Sequence, residues 1–213
     1  NAIPYIDFPF YGNNVIDFEK LQICYCDDCG FGYSTPDVKS EVLDKFYSDV
    51  YRSKNSPHYI NFPRLKKYKI SQCQAAIEHL ILARHFTKVK SGDCLLDIGP
   101  GPGGHFQAAL SLLENPKLFA LEYNEVAAEA YTRLYGVNTF LNYENLAREF
   151  NKTKMNFITS SHSLEHFRFD DLKIILNQMR EILHDDGIFV IEVPHVDMRI
   201  HAKIRMGDSP HLL

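Results

Sequence analysis

After residue 93 the sequence alternates apolar runs with segments of helical period, and this alternation restricts the fold more than any other feature. "CLLDIG" leads into "GHFQAALSLLE", "KLFALE" into "NEVAAEAYTRLY", "VNTFLN" into "YENLAREF" and "NFITSS" into "FDDLKIILNQMREIL"; "DDG" then turns into "IFVIEVP". The runs are apolar at nearly every position, as strands must be when helices cover both faces of their sheet. Five strands joined by short connections predict an α/β fold with an open, doubly wound, mostly parallel sheet.

The front of the chain reads differently. Residues 1–42, rich in Pro, Gly, aromatic residues and Cys, predict short strands and turns in a small Cys-containing N-terminal module. From Ser40, "SEVLDKFYSDVY" has helical period, with Val42, Leu43, Phe46, Tyr47 and Val50 on one side. Residues 43–69 form a helical, aromatic linker or lid in which His58, Tyr59, Arg64 and Tyr68 are the polar contributors. "SQCQAAIEHLILARHFTKV" predicts an amphipathic helix whose apolar residues include Ala76, Ile77, Leu80, Ile81 and Ala83, and residues 70–213 form the main domain. Asn1 and the ending "DSPHLL" read as cuts in a longer protein.

Composition narrows the partners. With 23 basic and 27 acidic residues the formal net charge is −4, which lacks the electrostatic footprint of a nucleic-acid binder. The short cluster Arg64, Lys66, Lys67, Lys69 reads as a solvated face. No apolar run has the length of a membrane span, and five cysteines, three of them within six residues, suit reduced thiols or a metal. The expected location is cytoplasmic, with no membrane and no nucleic-acid partner.

"LLDIGPGPGGHF", residues 95–106, carries the chemistry. Gly99, Gly101 and Gly104 match a dinucleotide fingerprint, with Glu122 about 20 residues on as its acid. Pro100 and Pro102, however, have no N–H, and a loop that holds a pyrophosphate depends on its amides. Asp97, just before the first glycine, repels phosphate and suits a positive centre. S-adenosylmethionine meets each condition: it carries a sulfonium and no phosphate, and its ribose hydroxyls can bond Glu122. A nicotinamide-dependent oxidoreductase is disfavoured by the same residues. A turn with glycines for packing alone is the plainest alternative.

"LLDIGPGPGGHF", "LFALEYNEVAAEAY", "NFITSSHSLEHF" and "ILHDDGIFVIEVPH" together resemble the successive motifs of class I S-adenosylmethionine-dependent methyltransferases, over about residues 70–213. The resemblance implies a Rossmann-like domain with Asp97, Gly99 and Gly101 beneath the methionine and ribose portions. It further implies Glu122 on the ribose hydroxyls, Tyr123 beside the adenine, and Ser160, Ser161 and His162 edging the methyl-transfer site. The family usually adds two strands after the segment corresponding to "EVP", and this chain ends before them.

Methyl transfer from a sulfonium needs alignment above all, but a hydroxyl acceptor must also lose a proton. His162, Glu165 and His166 follow the fourth strand, and a helix starting there would place them on one face. His195 follows the fifth strand, at the same carboxyl edge of the sheet. These four residues form a first shell for a divalent metal, or else His162, His166 or His195 is a general base. The segment is similar to the E-x-x-E-H metal motifs of ubiquinone-pathway O-methyltransferases and small-RNA 2′-O-methyltransferases, with His162 in place of the first Glu. The plain alternative is a metal-free "LEH" whose His caps or packs. His211 near the end is a further residue that can approach the acceptor, or simply part of a disordered end.

Cys26-x-x-Cys29-Gly30 has the turn chemistry of a zinc knuckle. It resembles the second half of the amino-terminal zinc module of sugar C-methyltransferases, in which an earlier Cys pair precedes it. Three reduced thiols (Cys24, Cys26, Cys29) are the alternative, and Cys73 and Cys94 read as core residues. Taken together, the expected function is methyl transfer from S-adenosylmethionine, with S-adenosylhomocysteine (SAH) as product, to a small molecule: a sugar, nucleotide-sugar or glycan precursor, O-methylation preferred. The alternative is a non-catalytic cofactor-binding or scaffold subunit with a Cys-rich interaction module.

Overall fold

A computed structural model describes residues 2–7, 22–26, 28, 32–35, 37–51, 54, 59–88, 90–150 and 154–193. They divide into two compact units: one up to Tyr59 together with Glu165–Leu172, the other Ile60–Leu164 with Lys173–Val193.

The first unit contains an antiparallel sheet of β1 (Ala2–Asp7), β2 (Gln22–Cys26) and β3 (Gly32–Thr35) in the order β1-β2-β3. Helix α1 (Ser40–Lys45) runs on into a π-helical turn, Phe46–Tyr51. Leu43 and Phe46 of the predicted apolar side are buried, so helical period and burial agree here.

The second unit is built on a five-stranded parallel sheet in the order β6-β5-β4-β7-β8, and it is α/β as predicted. Its strands are β4 (Cys94–Ile98), β5 (Lys117–Leu121), β6 (Asn138–Phe140), β7 (Met155–Ser161) and β8 (Leu183–Glu192). The helices are α2 (Gln74–Phe86), α3 (Gly104–Leu112), α4 (Glu125–Tyr135), α5 (Tyr143–Phe150) and, from Lys173 on, α6 (Phe169–Ile182). All five residues of β4 are buried, consistent with its place in the middle of the sheet. From β4 the chain steps outward to β5 and β6, then returns to the opposite side for β7 and β8. That reversal opens a crevice between the loops that follow β4 and β7, where ligands bind in doubly wound sheets.

Local chemistry explains the element ends. Helix α4 begins at Asn124, whose Oδ1 accepts from the Ala127 amide at 3.0 Å, and stops at Gly136 in the left-handed conformation. Its buried residues Ala127, Ala130, Tyr131 and Tyr135 recur at helical spacing and pack with Phe106 and Phe62. Helix α2 buries Ala76, Leu80 and Ala83, whereas Ile81 faces solvent at 60% exposure, so the expected apolar set was one residue too wide.

The "DDG" turn is a bulge inside β8. Met155 pairs with Leu183, but the next pairing is Phe157 with Ile188, and the extra residues of β8 include exposed Asp185 and Asp186. The predicted lid is divided between the units: Tyr59 ends one, whereas Ile60, Arg64 and Tyr68 belong to the other and His58 lies outside the described residues. Phe62 is buried there, and its carbonyl accepts from Arg133 at 3.1 Å. No described helix is long and apolar enough to cross a membrane.

Candidate functional site

The crevice is floored by the loop after β4. Gly99 has φ +64°, and a Cβ there would run into the Ser163 side chain, so the loop and the segment after β7 approach closely because this residue is glycine. Gly101 has φ +54°, yet a Cβ there would meet nothing within 4 Å. Space therefore lies open above Gly101. The Gly99 amide donates to the Leu121 carbonyl and the Gly103 amide to the Pro100 carbonyl, each at 3.0 Å. With Pro100 and Pro102 lacking N–H groups, only Gly101 and Gly104 remain as donors along this loop, too few to cradle a pyrophosphate.

Asp97 is buried, and both carboxylate oxygens are engaged within the protein. Oδ1 accepts from Thr159 Oγ1 at 2.7 Å, and Oδ2 lies 3.0 Å from His105 Nδ1. Burial alone would depress the His105 pKa, but the charge and hydrogen bond of Asp97 outweigh it and hold the imidazole above its usual range. Asp97 is thus built into the frame of the site through His105 and Thr159.

Glu122 follows β5 and is half-buried, its Oε1 accepting from the Asn124 amide at 3.1 Å. The buried phenol of Tyr131 donates to the Gly101 carbonyl at 2.5 Å and lies 3.5 Å from Glu122 Oε2. Tyr123, beside Glu122, is exposed. At the end of β7 Ser160 is buried and its Oγ has no hydrogen-bond partner among the described residues. A buried hydroxyl in that state favours a ligand able to bond it. Ser161 donates to Glu192 Oε2.

His162 has φ +52°, its amide donates to the Glu192 carbonyl at 2.9 Å, and its Nε2 lies 3.8 Å from Glu192 Oε2. The Ser161 hydrogen bond lowers the Glu192 pKa despite partial burial, and the nearby imidazoles lower it further.

The segment after His162 is a 3-10 turn, Leu164–His166, and the helix starts only at Phe169. His162, Glu165 and His166 therefore do not share one α-helical face. In the first unit Glu165 is buried, 3.7 Å from His166 Nε2, and the His166 ring packs against Tyr47 and Tyr51. Among the described residues no three His, Cys, Asp or Glu side chains form a group able to hold a metal. His195, His211 and Cys29 lie outside the described residues, while Cys26 is half-buried on β2.

Two participants escaped sequence reasoning: His79 on α2 and His105 on α3. Each is a polar residue within a run of buried apolar neighbours (Ala76 and Leu80 for the first, Phe106 and Ala108 for the second), and that was the available signal.

A methyltransferase-domain family profile matches residues 70–211, two thirds of the chain, including the glycine loop. The chain belongs to the methyltransferase-domain family. No curated protein sequence matches it. Among solved structures this methyltransferase domain is similar to mycolic acid cyclopropane synthase CmaA1 complexed with SAH and CTAB (20% identity, TM-score 0.45, 55% of this chain and 42% of that one). It is also similar to the precorrin-6y C5,15-methyltransferase from Geobacter metallireducens GS-15 (17%, 0.42, 65% and 70%). A third is the plantazolicin methyltransferase BpumL in complex with pentazolic desmethylPZN analog and SAH (17%, 0.46, 70% and 55%). The chain thus spans less than half the length of the first of these and about half that of the third.

Proposed function

We propose that this methyltransferase domain transfers the methyl group of S-adenosylmethionine to an oxygen of a small polyhydroxylated acceptor, a sugar, nucleotide-sugar or glycan precursor. The observation that carries the reading is the donor-poor loop over which space opens at Gly101, with Glu122 on one side and the unpartnered Ser160 hydroxyl on the other. These residues fit the cofactor: Glu122 takes the ribose hydroxyls, the exposed Tyr123 ring covers the adenine, and Ser160 gives the buried edge a hydrogen bond. Asp97, already bonded to His105 and Thr159, positions the loop from below.

When bound, S-adenosylmethionine supplies an electrophilic methyl group on a sulfonium. The protein's part is alignment and removal of the acceptor proton. Ionised Glu192 lies 3.8 Å from His162 Nε2, and His162 is the base that receives the acceptor hydroxyl proton. With that donor bound, His162 would take the proton lost by the acceptor oxygen as it is methylated. The adjacent hydroxyl residues Ser160 and Ser161 at the end of β7 support a hydroxylated acceptor.

The test is calorimetry with S-adenosylmethionine, SAH and NAD, followed by mass-spectrometric turnover against a panel of sugars and sugar nucleotides. Binding of the first two, no binding of NAD and a mass gain of one methyl group on an acceptor are expected. No binding of S-adenosylmethionine at millimolar concentration overturns the reading. Binding without turnover on any acceptor overturns its catalytic part in favour of a cofactor-binding subunit.

A further inference from the structure

Four ionisable side chains from four elements form one continuous line within the glycine-loop unit. His105 Nδ1 lies 3.0 Å from Asp97 Oδ2, His105 Nε2 lies 3.0 Å from His79 Nδ1, and His79 Nε2 lies 3.6 Å from Glu192 Oε2. The two rings are inclined by only 15° with centroids 5.3 Å apart. That separation is close to the nitrogen–nitrogen contact plus the two ring radii, so the imidazoles meet edge to edge in nearly one plane.

The number of protons in the line follows from its ends. Ionised carboxylates only accept, so the two outer nitrogens, His105 Nδ1 and His79 Nε2, must both carry hydrogen. The two inner nitrogens face each other at 3.0 Å and need one proton between them. Three protons on four nitrogens make a singly charged pair. A doubly neutral pair sets two lone pairs against each other or turns one toward a carboxylate, and a doubly charged pair sets two N–H groups against each other.

We propose that His79 and His105 act as one singly protonated positioning pair, tying the Asp97 carboxylate beneath the cofactor loop to the Glu192 carboxylate beside His162. The inference rests on the methyl-transfer reading above. The pair links the cofactor loop to the acceptor edge through hydrogen bonds and a longer ion-pair contact: Thr159 and His105 hold Asp97, while Ser161, His79 and His162 surround Glu192. Glu78 on α2 is the other charged group bearing on His79. Neither histidine is assigned to touch the substrate. Their effect reaches the reaction through the two carboxylates they hold.

Nitrogen-15 NMR of histidine-labelled wild-type protein, with His79→Gln and His105→Gln, reads the pair without any turnover. The two rings are expected to titrate as coupled steps, the second proton entering at much lower pH than the first, with the surviving ring of each variant reverting to a single step. Calorimetry on the same proteins is expected to show S-adenosylmethionine affinity about tenfold lower in His105→Gln, the value of losing one hydrogen bond to a charged group. Wild-type kcat is expected to fall at alkaline pH as the pair loses its single charge; His79→Gln, whose amide can span the same two partners, keeps more affinity but loses that fall. Independent titration of the two wild-type rings overturns the pair. Coupled titration with unchanged affinity and pH profile in both variants overturns its positioning role. Coupled titration in a wild-type protein that does not bind S-adenosylmethionine instead overturns the methyl-transfer reading, and with it the role given to the pair here.

Discussion

The hydroxyl of Tyr131 donates to the carbonyl of Gly101 at 2.5 Å, so a fully buried ring on α4 sets the position of the loop after β4. The same hydroxyl lies 3.5 Å from Glu122, but its single proton goes to the nearer carbonyl. One buried phenol thus fixes the distance between the glycine loop and the carboxylate that follows β5. Tyr131→Phe keeps the packing and removes this bond. A stability loss of about 1 kcal/mol is expected by denaturant titration. Calorimetry should show an accompanying loss of S-adenosylmethionine affinity of about threefold to tenfold, as the loop carbonyl is left without its donor.

Gly99 and Gly101 share left-handed backbone angles but differ in their surroundings, which predicts unequal effects of alanine. Gly101→Ala incurs backbone strain alone, about 1 kcal/mol. Gly99→Ala adds a collision with Ser163, and a combined cost of about 2–4 kcal/mol is expected. Melting curves of the two variants check the order. A Gly99→Ala protein as stable as Gly101→Ala contradicts the close approach between the two loops.

Asp97→Ala leaves the buried His105 imidazolium without its counter-ion. A loss of about 3–5 kcal/mol of stability is expected, so weakened cofactor binding in this variant will come together with a weakened fold. Asp97→Asn, which can still accept from Thr159, should retain more stability. Glu122→Gln, at a half-buried position, is the cleaner probe of the cofactor: unfolding midpoints within about 0.5 kcal/mol of wild type and S-adenosylmethionine affinity down at least tenfold are expected.

Stability should depend on pH through the same groups. The His105 pKa is raised in the folded state, so its contribution is fully present below the unfolded imidazole value of about 6.5 and is lost as pH rises through the folded value. The Glu192 pKa is lowered, so its contribution is present above the unfolded carboxylate value of about 4.3 and is lost as pH falls through the folded one. Burial, followed by the His105 charge, lowers the His79 pKa and adds to the acid-side loss. Urea midpoints measured across pH are expected to fall off on both sides of a weakly acidic maximum. His105→Gln should remove the part of the alkaline decline that sets in just above the unfolded imidazole value, leaving the later part from the buried thiols and phenols.

His162 and His166 have different surroundings, and substitution separates them. His162→Ala removes an exposed imidazole beside Glu192, so kcat should fall about 100-fold or more with little change in stability. His166 packs on Tyr47 and Tyr51 beside buried Glu165, and its replacement should lower the melting temperature. The reverse pattern would move the base to His166.

Much of this molecule was legible along the chain because its determinants are local. Apolar runs bounded by turn residues marked the five parallel strands, and Asn124 and Gly136 punctuated α4. Pro100 and Pro102 removed loop donors whatever the rest of the chain does. The segment after His162 is less legible, because "SLEHF" carries helix-compatible residues yet closes as a 3-10 turn. The partners of Asp97 could not be read locally at all. His105 follows it by one turn of loop and helix, but Thr159 comes from β7 and enters only through the register that sets Asp97 beside it.

The sequence by itself determined that strands and helices alternate, that the loop after β4 is short of donors, and that acidic and hydroxyl side chains stand at strand ends. Tertiary structure alone decided which of those groups meet. Strand order placed β7 beside β4, and the seating of α2 and α3 brought His79 and His105, 26 residues apart, into one plane between two carboxylates. Periodicity and loop chemistry act over a few residues, so they can be read in order along a chain. A proton shared by two rings depends on distances of a few tenths of an ångström, and only the packing of distant elements supplies those.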